Sequence, residues 1–177
     1  MRTAQPSTAG LALNTQSSVV IPKSSNCPKD VETLTEKLLL DLPSYANRIS
    51  QSARRLNRTV DIYSYVLVAG RPEFAPLTLG PGEYNPADST GPQQPQQVFL
   101  TTLERQYTAG KAVELQQYHW LFLTQTSSGW RLAIMFSRTG TYPSKRPPTP
   151  PRDSSDGVVA QAIRTWLRDC QGGAIQF

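Results

Sequence analysis

Apolar positions recur at helical spacing directly after Cys27 and Pro28. One stripe is formed by Val31, Leu34, Leu38 and Leu42, and it continues with Tyr45, Ile49, Ala53 and Leu56. Pro43 lies between the two halves of this stripe. Because proline lacks a backbone N–H and clashes with the preceding turn, the pattern predicts one helix broken at Pro43, or two helices in succession.

The middle of the chain changes to a pattern that is typical of strands. Segment 59–70, TVDIYSYVLVAG, is rich in β-branched and aromatic residues and predicts one strand. Segment 97–138 predicts a three-stranded antiparallel meander with turns near 108–110 and 126–129. Its centre has apolar side chains at successive positions, so we expect the sheet to need cover on both faces.

The pairing within this meander follows from where the two turns are placed. The expected register pairs Trp130 with Thr124 in the second hairpin, and Tyr107 with Lys111 in the first. The first of these pairings gathers aromatic side chains on one face. The second places the carboxylates of Glu104 and Glu114 opposite each other.

The last regular segment, GVVAQAIRTWLRDC at 157–170, is amphipathic and predicts a helix with Ser155 or Asp156 as its N-cap and a stop at Gly172. The predicted fold class is therefore α+β. A four-stranded antiparallel sheet, made of one strand plus the three-stranded meander, is packed by an N-terminal broken helix and a C-terminal helix.

The length of 177 residues suits a single core. Residues 1–26 are polar and rich in Ser, Thr and Gln and predict a flexible arm. Residues 27–172 are expected to form one domain with long proline-rich loops at 71–96 and 143–153, and residues 173–177 a short tail. The 15 prolines of the chain fall largely in these loops, which predicts a compact core with extended attachments.

The formal net charge of +5 permits an anionic protein partner or peripheral contact with a membrane surface. No apolar run reaches the roughly 18 residues that a membrane span needs. No Gly-rich phosphate loop or RNA-binding aromatic motif accompanies the basic residues, so nucleic-acid binding is not favoured.

Two cysteines lie at the borders of the predicted domain, Cys27 before the first helix and Cys170 at the end of the last one. A disulfide between them would tie both ends of the domain together and would indicate an oxidising compartment. Two alternatives remain open from the sequence. Cys170 could be a small buried apolar residue beside an incidental Cys27 thiol, or Cys27 could be a thiolate activated by a helix N-terminus.

Candidate catalytic residues are few. His119 is the single histidine and lies within the predicted middle strand, where a packed histidine is the simpler interpretation. The carboxylates of Glu104 and Glu114 would form an acid–base pair if the expected register holds. Scattered Cys and His residues give no metal-ligand spacing, and no cofactor motif is present, so we expect neither a metal nor a cofactor.

A basic cluster at the end of the first helical region is the main candidate for contacting a partner. It comprises Arg48, Arg54, Arg55 and Arg58. Cations at a helix C-terminus also match the helix dipole, which explains them without a partner. In the proline-rich loop, Phe74 and Tyr84 are the further partner-binding candidates.

The segments NCPKDVETLTEKLLLDLPSYANR and DSSDGVVAQAIRTWLRDCQ resemble a group of cyanobacterial proteins exported from the cytoplasm, for which no activity is assigned. The resemblance covers about a quarter of the chain and implies a periplasmic or thylakoid-lumen location, with no catalytic residues to transfer. We therefore expect a non-enzymatic extracytoplasmic accessory or assembly protein that binds another protein. The alternative is a small hydrolase that uses acidic residues in a cleft on the sheet face.

Overall fold

The computed structural model describes residues 27–56, 63–75, 94–108, 110–141 and 146–175. Within these ranges it contains helices α1 (Val31–Leu56) and α2 (Val158–Gln171) and strands β1 (Tyr63–Val68), β2 (Gln96–Thr108), β3 (Lys111–Thr126), β4 (Gly129–Thr141) and β5 (Arg152–Asp153). The five strands form one antiparallel sheet in sequence order. The α+β class is confirmed, but the expected four strands are five, because the end of the proline-rich connector adds β5 to β4.

Helix α1 runs without interruption through Pro43, so the expected break is absent. Apolar residues on both sides of the proline, Leu38, Leu42 and Ala46 among them, are fully buried on one stripe. Burying this continuous stripe offsets the roughly 3 kcal/mol that an interior proline costs a helix. Asp30 caps the helix, since its Oδ1 accepts the N–H of Thr33 at 2.8 Å.

Both helices contribute to one core on a single face of the sheet. Its helical part is formed by Leu34, Leu38, Leu42, Ala46, Val159, Ala160, Ala162, Ile163, Trp166, Leu167 and Cys170. The sheet contributes Val66, Val98, Leu100, Leu121, Leu123, Trp130, Leu132 and Met135. The stripes that predicted the two helices are therefore the surfaces that bury them.

The opposite face of the sheet carries a separate aromatic cluster. Trp120 and Phe122 are buried at its centre, and Phe99, Tyr118, Ile134 and Phe136 pack around them. Ring centroids of Phe99 and Trp120 lie 5.1 Å apart with tilted planes, an arrangement that aromatic pairs favour. The sheet is thus apolar on both faces at its centre.

The register of both hairpins differs from the expected one. In the first hairpin Thr108 pairs with Lys111. In the second, Gln125 pairs with Trp130, and a bulge follows next to Phe122 and Leu123. Because successive side chains point to opposite faces, the slip of one residue in the first hairpin exchanges its two faces. The turns have two residues, with Gly129 at a φ of +106° directly after the second one.

Helix α2 begins with Gly157 as its N-cap and without a side-chain cap, so Ser155 and Asp156 do not have the expected role. Ser155 instead accepts a hydrogen bond from the N–H of Met135 on β4 at 3.0 Å. The helix ends at Gly172 as predicted. Cys27 and Cys170 form a disulfide with their Cα atoms 5.3 Å apart, so the segment before α1 is tied to the last turn of α2.

Candidate functional site

A groove of about 410 Å³ lies between α2 and the first half of β4. Its lining residues are Trp130, Arg131, Leu132, Arg164, Leu167, Arg168 and Gln171, and we call it the α2–β4 groove. At one end Gln171 Nε2 donates to the carbonyl of Trp130. At the other end Met135 donates its N–H to Ser155, just before α2 begins. The helix therefore runs antiparallel to the strand along the groove.

The floor of the groove is apolar and well fixed. Trp130, Leu132 and Leu167 belong to the main core and are only 3%, 6% and 2% exposed. The indole Nε1 of Trp130 also donates to the carbonyl of Pro28 at 3.0 Å, which holds the ring against the start of the domain. The floor is therefore held in place by two packed elements and by the hydrogen bond to Pro28.

Two arginines of α2 form the rim. Arg164 and Arg168 lie one turn apart on the exposed side of the helix, and Arg164 Nη1 also donates to the Ser155 carbonyl. Arg131 of β4 lies between two residues whose side chains face the core, so its own side chain extends to the opposite face of the sheet, and its Nη2 donates to Ser128 Oγ at 3.1 Å. The Arg168 side chain is 75% exposed and pairs with Asp169 at 3.2 Å, an exposed contact of little strength. Among the described residues that line the groove, none is acidic. The groove therefore combines an apolar floor with a positively charged rim.

Within the described ranges, no strand pairs with the edge of β4 beside this groove, whereas the edge beyond it is covered. In the second half of the strand, the connector and β5 cover the edge: Thr149 donates its N–H to the Thr139 carbonyl, and Ser154 donates its N–H to the Met135 carbonyl, both at 2.8 Å. In the first half, the alternation of hydrogen bonds in an antiparallel pair directs the N–H and C=O of Leu132 away from β3.

A second, smaller cavity of about 190 Å³ lies between the sheet and the start of α2. It contains a chain of hydrogen bonds centred on His119, whose side chain is buried. His119 Nε2 is 2.9 Å from Thr102 Oγ1, and His119 Nδ1 is 2.7 Å from Ser137 Oγ. Ser137 Oγ is in turn 2.6 Å from Ser154 Oγ. Both ring nitrogens therefore have partners within the protein.

Burial lowers the pKa of His119 to about 4, because desolvation disfavours the imidazolium. The ring is neutral at neutral pH. A consistent arrangement of donors has Thr102 donating to Nε2, Nδ1–H donating to Ser137, Ser137 to Ser154, and Ser154 to the carbonyl of Met135 at 3.3 Å. Each hydroxyl then donates once, and the network is satisfied without a ligand.

The expected pair of facing carboxylates is absent. Glu104 pairs across the sheet with Leu115, and Glu114 pairs with Arg105 on the other face, where Arg105 and Glu114 form an ion pair at 2.5 Å. Like charges directly opposite each other would destabilise the hairpin, whereas this register gives Glu114 a cation. Glu104 lines the cavity of His119, but Gln106 and Gln117 donate to its two oxygens.

The candidate partner-binding residues are dispersed or lie outside the described part of the chain. Arg48 is exposed on α1 with its guanidinium 5.0 Å from the centre of the Tyr45 ring. Phe74 is partly buried and packs against the main core. The side chains of Arg54 and Arg55, and all of Arg58 and Tyr84, lie outside the described residues. Their role stays a prediction.

Within the described ranges, no group of three His, Cys, Asp or Glu residues is arranged to hold a metal ion. Among the helices described, none is long and apolar enough to cross a membrane.

Comparison of the chain with known proteins gave no relative. No protein-family model, no curated protein and no solved structure matches it. The geometry of the described residues is therefore the basis for assigning a function.

The arginines of the α2–β4 groove are the candidate site residues that sequence reasoning missed. Arg164 and Arg168 stand four positions apart on the polar side of a strongly amphipathic helix, a signal that was available in the sequence.

Proposed function

We propose that the protein is a non-enzymatic extracytoplasmic accessory protein that binds another protein, and that the α2–β4 groove is its contact surface. The observation that carries this proposal is the positively charged rim around an apolar floor, built on two elements packed against one core. Interfaces favour this combination, because buried apolar side chains supply affinity while arginines select and orient the partner.

The extracytoplasmic location rests on two supports. The Cys27–Cys170 disulfide belongs to a class of bond that persists in oxidising compartments and is rare where thiols are kept reduced. The resemblance of the two helical segments to exported cyanobacterial proteins agrees with this. Periplasm or thylakoid lumen is the proposed location.

Site-specific cross-linking tests the contact surface. A photo-reactive benzoylphenylalanine at position 133, an exposed position on β4 directly after Leu132 of the groove, is compared with the same group at position 51 on the exposed side of α1. We expect one partner to be captured from extract of the source organism at position 133 and not at position 51.

Charge reversal supplies the matched control. Arg168→Glu reverses the charge at the rim of the groove. Lys111→Glu makes the same change in charge at the first residue of β3, the end of that strand that lies away from the groove. We expect Arg168→Glu to abolish the cross-link at position 133 and Lys111→Glu to leave it unchanged. Equal yields from the two variants, or no specific product in repeated trials, would contradict the proposal.

A hydrolase remains the second candidate, because Ser137 Oγ lies 2.7 Å from His119 Nδ1 in a cavity that also contains Glu104. The arrangement is weaker than a nucleophile–base pair, since the far nitrogen of His119 faces the hydroxyl of Thr102 and not a carboxylate. The ring, with its pKa of about 4, is also a poor base at neutral pH.

Ester hydrolysis and fluorophosphonate labelling distinguish the two candidates. We expect wild type and Ser137→Ala to give the same low background in both assays. Labelling that disappears in Ser137→Ala would favour the hydrolase and contradict a non-enzymatic role.

A further inference from the structure

The α2–β4 groove also indicates what kind of segment it receives. The backbone of Leu132 faces outward along the open part of the β4 edge, between the Gln171–Trp130 contact at one end and the Met135–Ser155 contact at the other. At about 3.3 Å per residue, this opening is roughly 15 Å long. It fits a short extended segment of about four or five residues, which would pair with an edge that no described strand covers.

The spacing of the two arginines on α2 is similar to the spacing of alternate side chains on such a segment. Arg164 and Arg168 are four positions apart on α2, which corresponds to about 6 Å along a helix axis. Alternate residues of a strand lie about 6.6 Å apart and point to the same side. Because α2 runs alongside β4, two side chains at positions i and i+2 of an added strand would each reach one arginine.

We propose that the α2–β4 groove binds an extended acidic segment of a partner protein, which adds as a short strand to the β4 edge and places carboxylates at alternate positions against Arg164 and Arg168. The charge of the rim favours carboxylates, since two arginines of α2 form it and none of the described residues that line the groove is acidic. The apolar floor of Trp130 and Leu167 accepts the aliphatic part of these side chains. This inference rests on the proposed function and specifies its partner.

Two synthetic peptides of identical composition test the spacing. Acetyl-Thr-Glu-Val-Glu-Val-Thr-amide has glutamates two positions apart, and acetyl-Thr-Glu-Glu-Val-Val-Thr-amide has them adjacent. Each is titrated into the oxidised, ¹⁵N-labelled full chain, and amide shifts are followed. We expect the first peptide to bind about tenfold more tightly and to shift the amide of Leu132. Equal affinities, or shifts centred elsewhere, would overturn the proposal.

Backbone methylation tests strand addition directly. Successive N–H groups of a strand point to opposite edges, so only one of two neighbouring N–H groups in the first peptide would bond to β4. We therefore compare two peptides, each N-methylated at one of two successive central positions. One methylated peptide is expected to lose binding about tenfold and the other to retain it. If both bind as well as the parent, the segment does not add as a strand.

Variants and other anions complete the test. Arg168→Glu should weaken the first peptide about tenfold, and Lys111→Glu by less than about twofold. Tighter binding of a single-stranded hexanucleotide or of anionic lipid vesicles at the groove, or dimerisation of the chain through it, would identify another occupant and overturn the proposal. If the cross-link at position 133 persists while N-methylation has no effect, the proposed function stands and the strand geometry is wrong.

Discussion

At the scale of single residues, His119 shows how a potentially reactive side chain is held in a structural role. It lies on the core face of β3 between Leu121 and Gln117, and hydroxyl groups of Thr102 and Ser137 meet its two nitrogens. Water would otherwise solvate these nitrogens, so the hydroxyls replace hydration that burial removes. Protonation of His119 would destabilise the fold, because it would place a charged imidazolium in a buried position.

Burial of His119 therefore predicts that the protein loses stability in acid. The folded pKa of His119, about 4, is below the unfolded value of 6.5, so the unfolded chain takes up the proton first. The stabilisation is complete above pH 6.5 and is lost as the pH falls through 4, amounting to about 3 kcal/mol. Denaturant unfolding of wild type and His119→Asn should show free energies that converge by that amount between pH 7 and pH 4. Parallel curves for the two proteins would contradict the assignment.

At the scale of elements, the two edges of the sheet are treated differently. On β1, the side chain of Asn47 from α1 closes the edge: its Oδ1 accepts the N–H of Val66 at 2.8 Å and its Nδ2 donates to the Val66 carbonyl at 3.0 Å. On β4, the described part of the connector covers only the second half of the edge. The first half, which no described strand covers, is where the proposed partner segment would pair.

Asn47→Ala should therefore destabilise the fold by about 2 kcal/mol, because two buried backbone groups of β1 lose their partner. Gln51→Ala, one turn further along the exposed side of the same helix, controls for helix propensity and should change stability by less than about 0.5 kcal/mol. Urea unfolding measures both variants. Hydrogen exchange should accelerate at the Val66 amide in Asn47→Ala, and unchanged exchange there would contradict the interpretation.

At the scale of the whole molecule, the two helices are tied to each other as well as to the sheet. Besides the disulfide, Trp166 Nε1 donates to Asp41 at 2.8 Å and Tyr45 donates to Asp169 at 3.0 Å, so each helix provides one aromatic donor and one carboxylate. Burial, with the carboxylate of Asp169 as a further cause, raises the pKa of Tyr45. These contacts fix α2, and with it the rim of the α2–β4 groove, relative to α1.

Removal of the disulfide should affect this whole arrangement. The bond closes a loop with a sequence separation of 143 residues, for which the chain-entropy model gives about 5 kcal/mol. Cys27→Ser with Cys170→Ser should lower the free energy of unfolding by about 4 to 5 kcal/mol, and reduction of wild type should reproduce that value in denaturant titrations. A loss below about 1 kcal/mol in both would contradict a structural role for the bond.

Much of the architecture could be predicted because it depends on local pattern. The apolar stripes of α1 and α2, the turn residues of the meander and the placement of Cys27 and Cys170 at the borders of the domain all appear in the sequence. The break at Pro43 was wrong, because a local penalty was weighed without the burial of residues on both sides of it. The register was wrong by one residue in the first hairpin, since the turn was assigned a longer loop than the two residues that separate Thr108 from Lys111.

The candidate site was the least predictable part. Leu132 and Arg168 are separated by 35 intervening positions and line one groove only because α2 docks antiparallel to β4. The carboxylates of Glu104 and Glu114 were expected to face each other, yet they lie on opposite faces of the sheet. Such outcomes depend on pairing and docking, to which a one-dimensional pattern is insensitive.

The sequence by itself determined the class of fold, the two amphipathic helices, the meander and the cysteines available to close the domain, because periodicity and turn chemistry act over a few residues. The tertiary structure decided which faces those elements bury, that Cys27 and Cys170 are joined, that His119 is held by hydroxyls, and that two arginines of α2 lie beside the part of the β4 edge that no described strand covers. The physical reason is that these features arise from contacts between residues far apart in the chain, whose energies depend on register and packing.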